Sequence, residues 1–263
     1  MNRIDIAVSS GIVLAAILIY ALPPYQQLAQ WVFAGETTEY GGRLLRNLLV
    51  ILFSAWLVCR PSFKKYFLPV PRDSSVMAWI LLPVVYPGIL YIFNRSVACI
   101  QPGLSTMLLL AYLVTAGLSE EWIFRGILQG YLRGRYPKRS AAIVCLWSAS
   151  FFGIVHLMNL RFEHPIGVIP QVLGAFSIGL FLGILRIRGV SIWLLGLAHG
   201  LINVVGRDHC PRPGIPIPPA TSIGFMDHVA ASAIMLLVML PLLLAFWMLS
   251  YRYRADGTMR PVS

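Results

Sequence analysis

The chain has 263 residues, 58% of them hydrophobic and 12% charged, with a net charge of +11. So little charge leaves too few polar groups to cover a water-facing surface, which argues against a soluble globular domain. The basic residues sit in short loops between apolar runs rather than in a patch, which argues against a nucleic-acid partner and suits orientation in a lipid bilayer.

Taken in chain order, the apolar runs predict an all-α, polytopic transmembrane helix bundle of about eight spans, each near the ~20 residues that a bilayer requires. The expected spans are Asp5–Leu22, Leu44–Cys59, Val76–Phe93, Leu104–Tyr131, Ala141–Leu160, Pro165–Leu185, Ser191–Val205 and His228–Tyr251. The second and seventh are short, so seven spans is the competing count. The first run lacks a strong basic start, and Pro23, Pro24 and Tyr25 make a poor cleavage site, so it is expected to be a retained span. Prolines at 61, 69, 71, 102 and 137, with Asn94, Gly103 and Gly189, punctuate the connections, and Arg207–Pro219 is a proline-rich loop. No internal repeat is visible, and residues 1–263 read as a single integral membrane domain.

With the N-terminus inside, fourteen Lys and Arg side chains fall on the inner side and six on the outer, leaving Arg125 within a span. The asymmetry predicts both termini in the cytoplasm, with membrane lipid as the surroundings. This topology puts Cys99 and Cys210 in outward loops, where an oxidising exterior permits a disulfide; two unpaired thiols are the alternative. The tail Arg252–Ser263 is expected to be a basic end lying near anionic lipid.

The ionisable residues well inside the spans are five: Glu120, Glu121, Arg125, His156 and His199. A charge in hydrocarbon costs at least ~3 kcal/mol on insertion scales, so such groups face partners or a water-filled cavity. A purely structural polar network is the bland alternative. Glu121 and Arg125 are four apart and can pair on one helix face. Glu120 is rotated by about 100° from Glu121 and is free to point elsewhere, without Arg125 neutralising it directly. Phe152 and His156 are also four apart, so a ring can lie beneath an imidazole; His199 and Asn203 share a face in the same way. Counted from the inner ends of their helices at ~1.5 Å per residue, these groups form one layer slightly beyond the midplane. A carboxylate, two imidazoles and a carboxamide are the parts needed to activate a water and stabilise an oxyanion.

Glu120-Glu121-Trp-Ile-Phe-Arg125 fits E-E-x-x-x-R, Phe152-Gly-Ile-Val-His156 fits F-x-x-x-H, and His199-Gly-Leu-Ile-Asn203 fits H-x-x-x-N. This ordered triple on successive apolar helices resembles the CPBP (Abi, CAAX protease-like) family, which includes type II CAAX prenyl endopeptidases and bacteriocin-processing proteins. The resemblance covers roughly Leu104–Val205 and makes residues 104–205 a motif-bearing catalytic core of four helices. An outward-leaning site is similar to the myxosortase-like branch, which handles C-terminal sorting tails of exported proteins. The resemblance implies a glutamic intramembrane endopeptidase with neither metal nor cofactor. It would act on a membrane-associated or exported protein substrate, in a C-terminal tail or elsewhere. Glu120 would be the base that activates water, assisted by His156. Asn203 and His199 would stabilise the oxyanion, while Glu121 and Arg125 hold their helix in place. Two alternatives stay open on the residues alone: a zinc-dependent membrane hydrolase ligated by Glu and His, and a proton-coupled transporter. A non-catalytic scaffold is a third.

Overall fold

A computed structural model describes residues 11, 37–60, 74–82, 85, 103–137, 139–161, 165–206 and 225–251. Apart from Gly11, the expected first span lies outside these residues. So do Cys99, Cys210, the loop Arg207–Pro219 and the tail from Arg252.

The described residues form helices joined by short turns, with no strand among them. Helix α1 is Thr37–Cys59, and Ser74–Leu81 forms a 3-10 segment. Next comes one continuous helical run: α2 (Leu104–Glu121), a π-helical segment (Trp122–Leu128) and α3 (Gln129–Arg135). Helix α4 is Ala141–Val155 and tightens into a 3-10 turn over His156–Arg161. Helices α5 (Pro165–Ile187), α6 (Ile192–Gly206) and α7 (Phe225–Tyr251) complete the set.

Among the described residues, four stretches are long and apolar enough to cross a membrane: Thr106–Arg135, Ala141–Leu160, Pro165–Ile187 and Val229–Tyr251; Ile192–Val204 is a shorter apolar helix. These correspond to the last five expected spans. The third expected span, Val76–Phe93, is described only in its first part, and that part is 3-10 rather than α-helical.

Local chemistry sets the helix ends. The Ser140 hydroxyl accepts from Ile143 N, capping α4. At the end of α5, Gly189 has φ 96°. Val190 N–H then donates to Leu185 O and Gly189 N–H to Arg186 O, each at 3.1 Å. This is the left-handed closure that glycine allows at no steric cost.

Helix α5 is the centre of the bundle, packing against α4 on one side and α7 on the other. Of its most apolar window 72% is buried, against 17% for α7. Helix α2 lies between α1 and α6. Large apolar side chains face outwards on the flanking helices, among them Leu52, Phe53 and Trp56 on α1 and Leu237 and Trp247 on α7. An apolar exterior of this kind requires lipid as solvent, and a helix that hydrogen-bonds its own backbone can face it.

Small residues bring the helices close. A Cβ at Gly200 would stand 2.6 Å from Val114 Cα, and one at Gly196 would stand 2.8 Å from Leu118 Cα. Gly117 on α2 faces Gly200 in return. Backbones this near need glycine on both helices; apolar solvent offers no hydrophobic drive, so close van der Waals contact holds the pair. On the far side of α2, Asn47 Nδ2 donates to Tyr112 O and to Thr115 Oγ1, both at 3.3 Å, fixing α1.

Candidate active site

The glycine-tight packing of α2 against α6 sets His199 beside the paired carboxylates. His199 is 4% exposed. Its Nδ1 lies 2.9 Å from Glu121 Oε1, and its Nε2 lies 3.6 Å from Glu120 Oε2. Rotated apart on their helix, the two glutamates reach the two nitrogens of one imidazole, Glu121 alone of the two being paired with Arg125. Consecutive residues can do this because they grip the ring from opposite edges.

Glu121 serves a second partner. Its Oε1 also lies 3.1 Å from Arg125 Nη1, and both side chains are 0% exposed. A carboxylate can only accept, so the ring nitrogen facing Glu121 carries the proton. Glu121 thus sets the orientation and tautomer of His199, while Arg125 balances its charge.

Arg125 lies in the π-helical segment, which starts directly after Glu121 and ends where Gln129 N–H donates to Phe124 O. The wider turn leaves Phe124 O accessible from outside the helix, and Ser148 Oγ of α4 donates to it at 3.0 Å. Short π-helical stretches inside α-helices are frequent at functional sites.

Phe152 gathers the remaining groups. The Arg125 guanidinium carbon stands 4.5 Å above its ring centre. His156 and His199 meet the same ring edge-on, with centroids at 4.8 and 5.7 Å. His156 Nδ1 lies 2.8 Å from Phe152 O. A carbonyl only accepts, so Nδ1 is the donor and Nε2 is the nitrogen left for other partners.

Asn203 sits one turn beyond His199 and donates from Nδ2 to Leu113 O at 3.3 Å. An amide nitrogen has two hydrogens, so one remains for another acceptor. Glu120, Glu121, Arg125 and His199 thus form one directly contacting group. His156 joins it through Phe152, and Asn203 is held on the neighbouring turn of α6. Among the described residues, no group of three or more His, Cys, Asp or Glu side chains is disposed to hold a metal ion.

Three features were not anticipated from the sequence. The Gly196–Gly200 pair, a G-x-x-x-G spacing in an apolar helix, is a legible signal of close helix packing. The π-helical segment has no clear sequence signal. The role of Phe152 as a shared platform for three partners depends on tertiary packing.

Residues 102–205 match the family model described as type II CAAX prenyl endopeptidase Rce1-like. Comparison with curated proteins and with solved structures returned no match. The matched segment contains all six site residues, and over it the chain is similar to the CAAX protease-like family.

Proposed function

We propose that the protein is a glutamic intramembrane endopeptidase in which Glu120 activates a water molecule to cleave a peptide bond. One observation carries the proposal: Glu120 Oε2 and His199 Nε2 face each other at 3.6 Å. That is too long for a direct hydrogen bond, yet a water ~2.8 Å from both atoms fits beside the gap. Glu120 is the accessible carboxylate, its side chain 22% exposed, whereas Glu121 is 0% exposed and committed to Arg125 and His199.

In this mechanism the water oxygen bonds to the substrate carbonyl carbon, and its proton passes to Glu120, with His156 assisting through Nε2. The carbonyl π pair becomes an oxyanion, which accepts a hydrogen bond from Asn203 Nδ2, and one from His199 Nε2 in the doubly protonated form of that imidazole. Collapse restores the carbonyl and breaks the C–N bond. The leaving nitrogen takes the proton from Glu120, so the elements of water end on the two product termini. Glu121 and Arg125 act by positioning. No metal or cofactor takes part.

The substrate would be a membrane-associated or exported protein cut in a C-terminal tail, as in the myxosortase-like branch. Residues 104–205 would be the catalytic core of a single membrane domain spanning a bacterial inner membrane, both termini cytoplasmic. The test compares the C-termini of exported proteins in cells carrying the wild type or Glu120→Gln, followed by cleavage of any affected tail by purified protein. Identical C-termini in both strains, with no cleavage of any membrane-associated substrate, would remove the proposal.

A further inference from the structure

Polar side chains continue from the site along the face of the helical run that meets α5. Glu121, Arg125 and Gln129 are 0%, 1% and 2% exposed. Among the described residues, Glu121 Oε2, Gln129 Oε1 and all three guanidinium nitrogens of Arg125 have no hydrogen-bond partner. The Arg125–Glu121 ion pair is close, but its angle leaves the N–H unsatisfied. Buried polar atoms are rarely left this way, because each costs about 1–3 kcal/mol.

The opposing helix is shaped to this row. A Cβ at Gly179 would stand 3.3 Å from Arg125 Nη2; one at Gly183 would stand 3.3 Å from Gln129 Oε1 and 3.2 Å from Cys145 Sγ. Gln129 Nε2 donates to Gly183 O at 2.8 Å, and Arg133 Nη1 donates to Ile187 O at 3.2 Å. Residues 125, 129 and 133 thus meet 179, 183 and 187 rung by rung. The row ends at half-buried Arg133 and otherwise crosses apolar core, where Leu128, Leu132, Leu182 and Leu185 are 0% exposed.

We propose that this ladder binds a file of ordered water running from the Arg133 end of the bundle to Glu121. The atoms select the ligand. Arg125 requires acceptors, whereas Glu121 Oε2 and Gln129 Oε1 require donors. Water is both; an anion would satisfy Arg125 but meet two acceptor oxygens. The file supplies the water that hydrolysis consumes, since Glu120 lies within the long apolar stretch Thr106–Arg135. That use rests on the protease reading; the binding of water does not.

Radiolytic hydroxyl-radical footprinting of the full chain in detergent, read by mass spectrometry, tests the two parts separately. Radicals born from bound water oxidise adjacent sulfur. Cys145 lies beside the ladder with its Sγ 3.8 Å from Gln129 Nε2, and Met239 is a buried sulfur in the apolar core on α7. After each is normalised to the unfolded chain, Cys145 is expected to oxidise about tenfold faster than Met239. In Gln129→Met and Gly183→Ala, Cys145 is expected to fall to the Met239 rate. Equal rates in the wild type overturn the proposal, as does fast Cys145 oxidation that persists in both folded variants. If either variant fails to fold, the wild-type comparison of the two sulfurs still decides. Slow oxidation in a variant with undiminished turnover overturns the supply role. The expected footprint in a protein without protease activity leaves the water ladder standing and removes the protease reading.

Discussion

The site has two walls, built by opposite means. On the α2–α6 wall, glycines at 117, 196 and 200 let two backbones touch, and Glu120, Glu121, His199 and Asn203 stand on the joined surfaces. On the α4–α5 wall the contribution is one imidazole, His156, and one ring, Phe152, with Gly153 and Gly179 seating the helices. Charge is concentrated where the backbones are closest. A short, rigid span between two helices fixes the carboxylate–imidazole distances. The second wall supplies shape: a flat face for the guanidinium and a carbonyl that fixes a tautomer.

If that division holds, removing Glu120, the proposed base on the first wall, is the most damaging change. Glu120→Gln keeps the shape but cannot take a proton, and turnover should fall by about 10³-fold or more with little change in thermal stability. His156→Asn, on the second wall, should cost about 10²-fold. Single-turnover cleavage by the two purified variants makes the comparison. Equal losses would mean that the base is shared between the walls.

Glu121→Gln probes the same wall in a different currency. The change leaves Arg125 buried without its counter-charge, which should destabilise the fold by about 3 kcal/mol. It also gives Nδ1 of His199 an amide in place of a carboxylate, so activity should fall by about 10²-fold in whatever protein remains folded. Thermal unfolding measured beside activity separates the two losses. An unaltered melting temperature would show that the first wall does not depend on the Arg125–Glu121 pair.

Phe152→Leu should have a smaller effect. It removes the guanidinium's platform and the edge contacts to both imidazoles, an interaction of roughly 1–2 kcal/mol, so turnover should fall by about tenfold. Phe152→Tyr keeps the face and should restore most of it. A Leu variant as active as the wild type would reduce the second wall to His156 alone.

Sequence and structure agree best where period and chemistry reinforce each other. The helices from 104 to 206 were legible because apolar runs of bilayer length end at Pro137, Gly189 and the basic clusters, and Gly189 closes α5 in the way its position suggested. The grouping of Glu120, Glu121, Arg125 and His199 was legible because ionisable residues inside apolar spans are few. The pairing of Glu121 with Arg125 followed from their four-residue spacing. Rotation about a single helix separated Glu120 from the Arg125 pair but could not show where Glu120 goes. The partner helix places one imidazole between the two glutamates, and no intrahelical angle can reveal that. The ladder beyond Arg125 was invisible for a similar reason. Gln129 is an ordinary residue in the sequence and matters only because Gly183 stands opposite.

The smallest expected effect is none at all, and it tests whether the walls are joined by a metal. A zinc ion with an open position would need three protein ligands, and here they would have to come from both walls: Glu120 and His199 on one, His156 on the other. The geometry suits a proton relay better. His199 Nδ1 is held by a carboxylate, as a ligand imidazole often is, but Nε2 faces Glu120 across 3.6 Å in an arrangement that a water completes. His156 is turned by its bond to Phe152 O and meets His199 only by way of the shared ring. Incubation of purified protein with a strong chelator, followed by dialysis, should leave turnover unchanged, and elemental analysis should find no stoichiometric zinc. Loss of activity on chelation, restored by zinc alone, would mean that the walls are bridged by an ion and that Glu120 is a ligand rather than the base.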